Sequence, residues 1–315
     1  MKSVASAPGK VILFGEHFVV YGIKAILCAI DKRITVTAEK IPGKKIIIKS
    51  EIGDIVSFPN SPIEEIDNKL RPFYFLADKM IKKHHYDEGL MITVESEIPL
   101  GVGLGSSSAC CVAGAAAISG IFEKNSKKDI LQLAIEAEKS IFPNTSGADC
   151  TVSTFGGLIQ YDKKYGHSQI NLEPNFHLVI ANSKIEHSTK NVVANVKKFK
   201  ENNEKKFKQI CNEESQIIDE VLEYLKDNKL IQIGEGIKKN QRFLEIIGVS
   251  NEILKNMVKI ADEISFGSKI TGAGGGGCIL ALTDETNMKE TLRRLSAKNY
   301  ECFSARIDFK GLDTF

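Results

Sequence analysis

Residues 101–108 read GVGLGSSS, so three glycines and three serines stand directly before a run of small residues. Glycine lets backbone N–H groups come close to a ligand, and the first amides of a helix have no partner within that helix. A glycine-rich loop that leads into a helix therefore suits a phosphate group. The segment lacks the lysine of a Walker A loop. A tight turn capped by Ser106 or Ser107 is the alternative interpretation.

Two further segments have residue types that could position a ligand. Residues 269–277 read KITGAGGGG, and the apolar residues 278–282 that follow favour a core strand over a flexible linker. Residues 7–10 read APGK and lead into an apolar run and the turn GEH at 15–17. A lone lysine beside a strand is ordinarily a surface charge, so Lys10 on its own indicates no function.

The pattern of apolar residues predicts mixed helix and strand in the first half of the chain. Residues 3–40 are strand-rich, 67–84 have helical spacing, and a helix of small residues begins near Ser107. Residues 128–142 form an amphipathic helix, after which a polar loop from 144 leads to the apolar segment 152–161. The elements do not alternate as in a doubly wound parallel sheet.

The second half is rich in helices. Charged and turn residues cluster at 162–175, which indicates a domain boundary there. Beyond it we expect a strand at 176–182, helices at 190–226, 230–247 and 250–264, a strand at 278–282, and a final helix and strand. A chain of 315 residues is long enough for two compact domains.

Composition excludes several classes of protein. The 42 basic and 40 acidic residues leave a net charge of +2, which gives no electrostatic footprint for nucleic acid or an anionic membrane. The seven cysteines show no zinc-ligand spacing, and buried thiols in a reducing cytosol are the simplest interpretation. No signal peptide or long apolar span is recognisable. We therefore expect a cytoplasmic protein with no membrane or nucleic-acid partner.

The three segments, in this order, resemble the signature motifs of the galactokinase, homoserine kinase, mevalonate kinase and phosphomevalonate kinase superfamily. Four stretches are similar to the mevalonate kinase branch: APGKVILFGEHFVVYG, PLGVGLGSSSA, SGADCTVSTFGG and SKITGAGGGGC. Asn240-Gln241 to Gly248-Val249-Ser250 is a weaker match. The resemblance extends from Ser6 to about Leu282.

This resemblance implies a two-domain α+β kinase fold. An N-terminal ATP-binding domain would span residues 1–172, a ferredoxin-like C-terminal domain would span 173–315, and the active site would lie between them. The implied reaction moves the γ-phosphoryl group of ATP to the 5-hydroxyl of mevalonate, with Mg²⁺, in isoprenoid synthesis. The partners are then mevalonate and ATP, and a homodimer is left open.

The resemblance also assigns roles to single residues. Asp149 matches the catalytic aspartate, and Lys10 matches the lysine beside it. Ser107 and Glu138 match the Mg²⁺ ligands. The expected substrate residues are His17, Glu16, Thr271 and Gly272. The expected nucleotide-binding residues are Gly101, Gly103, Leu104, Gly105, Ser106, Ser107 and Ser108.

These residue types fit phosphoryl transfer, which needs positioning and charge neutralisation. A carboxylate can accept the hydroxyl proton, an ammonium group can stabilise an alkoxide, and hard oxygen atoms suit Mg²⁺. Taken singly, each has a plainer interpretation. Asp149 resembles a turn residue, Glu138 a solvated helix residue, and His17 a hydrogen-bonded core histidine.

One stretch departs from the family pattern. Mevalonate kinases usually read His-Gly-x-Pro-Ser-Gly-x-Asp-Asn, whereas this chain has FPNTSGADC at 142–150. The aspartate remains, but the loop before it differs, so the identity of the acceptor is open. A sister kinase acting on a related alcohol, such as phosphomevalonate, is the alternative function. A non-catalytic binding relative is the third, although Lys10, Glu138 and Asp149 are all present.

Overall fold

The computed structural model describes residues 1–99, 101–186 and 188–315. Its strands are β1 (Lys2–Phe14), β2 (Ala25–Ile41), β3 (Ile46–Ser50), β4 (Gly53–Ser57), β5 (Gly89–Ser96), β6 (Leu158–Asp162), β7 (Gly166–Ile170), β8 (His177–Asn182), β9 (Gly267–Thr271), β10 (Cys278–Thr283), β11 (Glu301–Arg306) and β12 (Asp313–Thr314). Its α-helices are α1 (Arg71–Lys83), α2 (Ser106–Gly120), α3 (Lys127–Lys139), α4 (Ala148–Phe155), α5 (Thr189–Asn202), α6 (Glu204–Lys226), α7 (Leu230–Ile246), α8 (Glu252–Asp262) and α9 (Glu285–Ser296).

The first sheet is built around the two long strands β1 and β2. Its order is β12-β1-β2-β5-β3-β4, with β6 and β7 attached through β2. Only the β3–β5 pair among these described strands is parallel. Helix α2 packs on β1 and β2 and touches α1, α3 and α4. Because α2 is surrounded on nearly every side, its sequence SSSACCVAGAAAISG contains mainly small and apolar residues.

The second sheet has the antiparallel order β11-β8-β10-β9. Numbered along the chain, this order is fourth, first, third, second, which is the ferredoxin-like arrangement that the resemblance predicts. Helices α5 to α8 fill the crossover between β8 and β9, and α7 packs on β9. None of the helices in the described residues combines the length and apolar character that crossing a bilayer requires.

The chain returns to the first sheet at its C-terminal end. Strand β12 pairs with β1, and an isolated bridge joins Ile307 to Ile30. The Arg33 side chain pairs with Asp308 and donates to the carbonyl oxygen of Gly311 at 2.6 Å. The predicted division between 172 and 173 falls between β7 and β8. Strand β12, which follows this division in sequence, nevertheless pairs with β1 in the first sheet.

The sequence-based prediction was wrong in the segment that leads to Asp149. A polar loop was expected from 144, but residues 148–155 form α4. Eight residues give only two turns, too few for helical periodicity to stand out. The predicted helix over 190–226 is divided at Asn203, where φ is −137°, into α5 and α6.

Candidate active site

Lys10 and Asp149 lie together although 139 residues separate them in the chain. The Lys10 Nζ is 3.1 Å from the Asp149 Oδ2. Lys10 comes from β1 and its side chain is 6% exposed, whereas Asp149 stands in the first turn of α4 and is 36% exposed. The pair therefore joins a buried cation to a carboxylate that an acceptor can reach. This is the pair that the sequence assigned to catalysis.

The glycine-rich loop before α2 is fastened against Lys10. The Lys10 backbone N–H donates to the carbonyl oxygen of Leu104 at 2.8 Å. Gly105 has a φ of 74°, and a Cβ atom there would lie 2.6 Å from the Lys10 Cγ. Only glycine fits this position without displacing Lys10.

Two helices begin next to this pair. Gly105 precedes α2 and Gly147 precedes α4, and neither helix has a side-chain cap. The first amides of α2 are thus available to an anion, whereas the Ala148 N–H at the start of α4 donates to the Ser146 Oγ at 3.3 Å. Both helix dipoles favour negative charge at these ends. Gly101 and Gly103 are exposed at the start of the loop, and Leu100, the second residue of the PLGVGLGSSSA motif, lies outside the described residues.

Glu138 is buried at the end of α3 and is held by two hydroxyl groups. Ser108 donates to its Oε1, and Thr145 donates to its Oε2. The side chain is 4% exposed, and within the described ranges no lysine, arginine or histidine nitrogen lies within 4.0 Å of its oxygen atoms. A cation bound beside a buried carboxylate that has no lysine, arginine or histidine partner would compensate its charge, which fits the expected Mg²⁺.

Among the described residues, the predicted metal ligands Ser107 and Glu138 are not hydrogen-bonded to each other. Ser108, one residue beyond the predicted Ser107, bonds to Glu138, and Ser107 is half-buried in the first turn of α2. Burial and the nearby Glu138 carboxylate raise the pKa of the Cys150 thiol well above its usual value. The sulfur therefore remains a thiol, and the hard oxygen donors of Ser107 and Glu138 suit Mg²⁺ better than it does.

The glycine-rich segment 269–277 lies against the 101–108 loop and against β1. A Cβ atom on Gly272 would be 3.8 Å from the Gly103 carbonyl oxygen. Thr271 is buried, and its Oγ1 accepts the Ile12 N–H at 3.1 Å. The hydroxyl expected to contact substrate thus joins β9 to β1. Its assignment as a substrate residue stays a prediction.

His17 contacts the same glycine-rich segment. Its Nε2–H donates to the carbonyl oxygen of Ala273 at 2.7 Å, and its φ of 61° is left-handed. Burial lowers the pKa of the imidazole below its usual value, so the ring is neutral near pH 7. Because Nε2 is occupied, only Nδ1 remains for a substrate. That role stays a prediction as well.

Glu16 belongs to a buried polar cluster that was not predicted from the sequence. Its carboxylate pairs with Lys269, and both side chains are at most 1% exposed. Glu214 on α6 accepts the Gly15 N–H at 3.1 Å and the Asn240 Nδ2–H at 2.7 Å. Glu16 therefore faces the protein interior, and a substrate contact through it stays a prediction.

A signal for this cluster was present in the sequence. Glu214 stands between Ile210 and Ile217 on the apolar face of its helix, where a lone carboxylate requires a partner. Asn240 begins the stretch 240–250, which is a weaker match to the family motifs. Burial raises the pKa of Glu214 to about 7, with the Glu16 charge adding to the effect.

Comparison with known proteins gives matches over both halves of the chain. The family described as GHMP kinases N terminal domain matches residues 73–157, and GHMP kinases C terminal matches 221–302. A mevalonate kinase of Archaeoglobus fulgidus is 34% identical over 281 residues, covering 89% of this chain and 92% of its own. A mevalonate kinase of Methanocaldococcus jannaschii is 31% identical and covers 96% and 99%, respectively.

Solved structures match at the level of the whole fold. The crystal structure of the Methanococcus jannaschii mevalonate kinase has a TM-score of 0.87 at 28% identity, covering 97% of this chain and 98% of that one. The L. major mevalonate kinase in complex with R-mevalonate has a TM-score of 0.82 at 26% identity, covering 96% and 95%. The predicted two-domain α+β kinase fold is confirmed.

Proposed function

Because the chain belongs to the mevalonate kinase family of the GHMP kinases, we propose that it transfers the γ-phosphoryl group of ATP to the 5-hydroxyl of mevalonate. The observation that supports this most is the Lys10–Asp149 pair beside the start of α2. A base for the acceptor hydroxyl and an anion-binding helix start are two of the parts that phosphoryl transfer uses.

The pair would act on the acceptor hydroxyl. Asp149 accepts its proton as the oxygen attacks the γ-phosphorus, the bond to the bridging oxygen breaks, and ADP leaves. The Lys10 ammonium group stabilises the negative charge that develops on the attacking oxygen. Burial of Lys10 strengthens this interaction because the side chain is shielded from water.

The loop at 101–105 and the first turn of α2 would hold the triphosphate through backbone amides. Ser107 and Glu138 would hold Mg²⁺, which when bound neutralises charge on the β- and γ-phosphates. The proximity of Gly272 to Gly103 supports a position for the third segment against the same phosphates. The cytoplasmic location and a homodimer stay predictions.

Replacing the proposed base tests the mechanism. We expect Asp149→Asn to lower kcat by roughly 10² or more, because an amide of the same size cannot accept the proton, while ATP affinity stays nearly unchanged. The control is Asp219→Asn, which removes an exposed carboxylate on α6 that pairs with Lys24.

Steady-state kinetics and calorimetric nucleotide binding give the two readouts. An Asp149→Asn enzyme that keeps more than about a tenth of the activity loses less than about 1.4 kcal/mol of barrier stabilisation. Asp149 would then not be the base.

A further inference from the structure

Thr145 lies in the loop between α3 and α4, within the stretch where the sequence departs from its family. Its Oγ1 donates to the Glu138 Oε2 and accepts the backbone N–H of Gly147 at 3.2 Å. Gly147 is the residue directly before α4, and Asp149 follows in the first turn. One hydroxyl group thus bridges the buried carboxylate and the helix that bears the proposed base.

The Glu138 carboxylate is fixed from two sides. Ser108 on α2 holds Oε1, and Thr145 holds Oε2. The ends of α2, α3 and α4 therefore meet at one carboxylate. Phe142, Pro143 and Asn144, the other residues of the altered stretch, are exposed, so Thr145 alone among these four points inward to Glu138.

We propose that Thr145 is a positioning residue that orients the metal-binding carboxylate of Glu138 relative to the start of α4. This inference rests on the proposed function, because it takes Glu138 as the Mg²⁺ ligand. A carboxylate oxygen that accepts a hydrogen bond from a fixed hydroxyl cannot rotate freely, and its remaining lone pairs then point in a set direction. Loss of such an outer hydrogen bond typically lowers metal affinity by roughly 10- to 100-fold.

The test removes the hydroxyl while keeping the shape of the side chain. In Thr145→Val, we expect the dissociation constant for Mn²⁺, measured by electron paramagnetic resonance with a non-hydrolysable ATP analogue bound, to rise by roughly tenfold. Metal-free binding of the same analogue should change by less than about twofold, because the phosphates contact the loop before α2 rather than Thr145. Thr145→Ser keeps the hydroxyl and should restore metal binding.

The matched control is Thr154→Val. Thr154 is buried on α4, the helix that follows the Thr145 loop, and its hydroxyl donates to the Cys150 carbonyl oxygen at 2.7 Å rather than to Glu138. If Thr145→Val is not folded, Thr145→Ala removes the hydroxyl without adding bulk and must show the same loss. Unchanged Mn²⁺ binding in a folded hydroxyl-free variant overturns the inference, as does equal weakening in Thr145→Ser or Thr154→Val.

The metal measurement is independent of the acceptor. If the wild-type protein binds Mn²⁺ with nucleotide but phosphorylates an alcohol other than mevalonate, the proposed function fails and the role of Thr145 is still tested. If the wild-type protein binds no Mn²⁺ with nucleotide, the role of Thr145 is overturned together with that of Glu138.

Discussion

Glu16 and Lys269 form an ion pair that joins the turn at residues 15–17 to the glycine-rich segment at 269–277. Both side chains are buried, and Lys269 Nζ also lies 3.4 Å from the Ile12 carbonyl oxygen. An unpaired charge at this depth would be strongly destabilising, so the pair favours packing of the turn after β1 against β9. Two segments that the sequence places more than 250 residues apart are thereby held in one site.

The contact between Gly105 and Lys10 gives the first prediction. Gly105→Ala and Gly103→Ala both place a side chain at a positive φ, of 74° and 81°, but only the first Cβ meets Lys10. We expect Gly105→Ala to lower kcat at least about tenfold more than Gly103→Ala, because displacement of the ammonium group weakens charge stabilisation. Both variants should weaken ATP binding.

Initial-rate kinetics at saturating ATP and acceptor separate these effects. Equal kcat values in the two folded variants would mean that the Gly105 contact has no influence on the position of Lys10.

His17 gives the second prediction. We expect His17→Ala to raise the KM for mevalonate much more than the KM for ATP, because Nδ1 is the ring nitrogen left free once Nε2 bonds to Ala273. His85→Ala is a matched control, since His85 is exposed and also has a positive φ, of 48°. An equal rise in both KM values would show that His17 acts only by holding the glycine-rich segment.

The sequence predicts which residue types form this site better than it predicts which side chains contact one another. The motifs identify Lys10 and Asp149 as a pair because their residue types and order match a known pattern. They match Ser107 and Glu138 to the Mg²⁺ ligands, which stays a prediction. They do not indicate that Ser108 donates to Glu138, because which hydroxyl faces Glu138 depends on how α2 packs against α3, and one position is about 100° of rotation on a helix.

Long-range polar pairs are the hardest feature to predict. Nothing near Lys269 in sequence indicates that Glu16 is its partner. Helix α4 was missed because it is short, and its position is set by tertiary packing against α2, α3 and β1. Elements with long apolar periodicity, such as α1 and α8, were predicted from sequence because burial of one face determines them.

The raised pKa of Glu214 predicts a pH-dependent stability. The folded protein holds this proton up to about pH 7, whereas the ordinary glutamate value is 4.5. The folded state therefore binds more protons between these values, and its stability falls as the pH rises through this range. The difference amounts to roughly 3 kcal/mol above pH 7.

Glu214→Gln removes the titrating group while its amide oxygen can still accept from Gly15 and Asn240. We expect the variant to be more stable than the wild-type protein at pH 8 and to lose most of the decline between pH 5 and pH 8. Urea unfolding at both pH values measures this, with the exposed neighbour Glu213→Gln as control. A wild-type-like decline in Glu214→Gln would place the proton on another group.

A comparison of acceptors tests the proposed activity most directly, because the loop at 142–145 departs from the family pattern. The measurement is kcat/KM of the wild-type enzyme with ATP and Mg²⁺ for mevalonate, phosphomevalonate and other small alcohols under one set of conditions. We predict that mevalonate is preferred by at least about 10²-fold, because a pocket built for one polar group leaves buried polar atoms unpaired with an analogue. A higher kcat/KM for phosphomevalonate or another alcohol would contradict the assignment of mevalonate as the substrate.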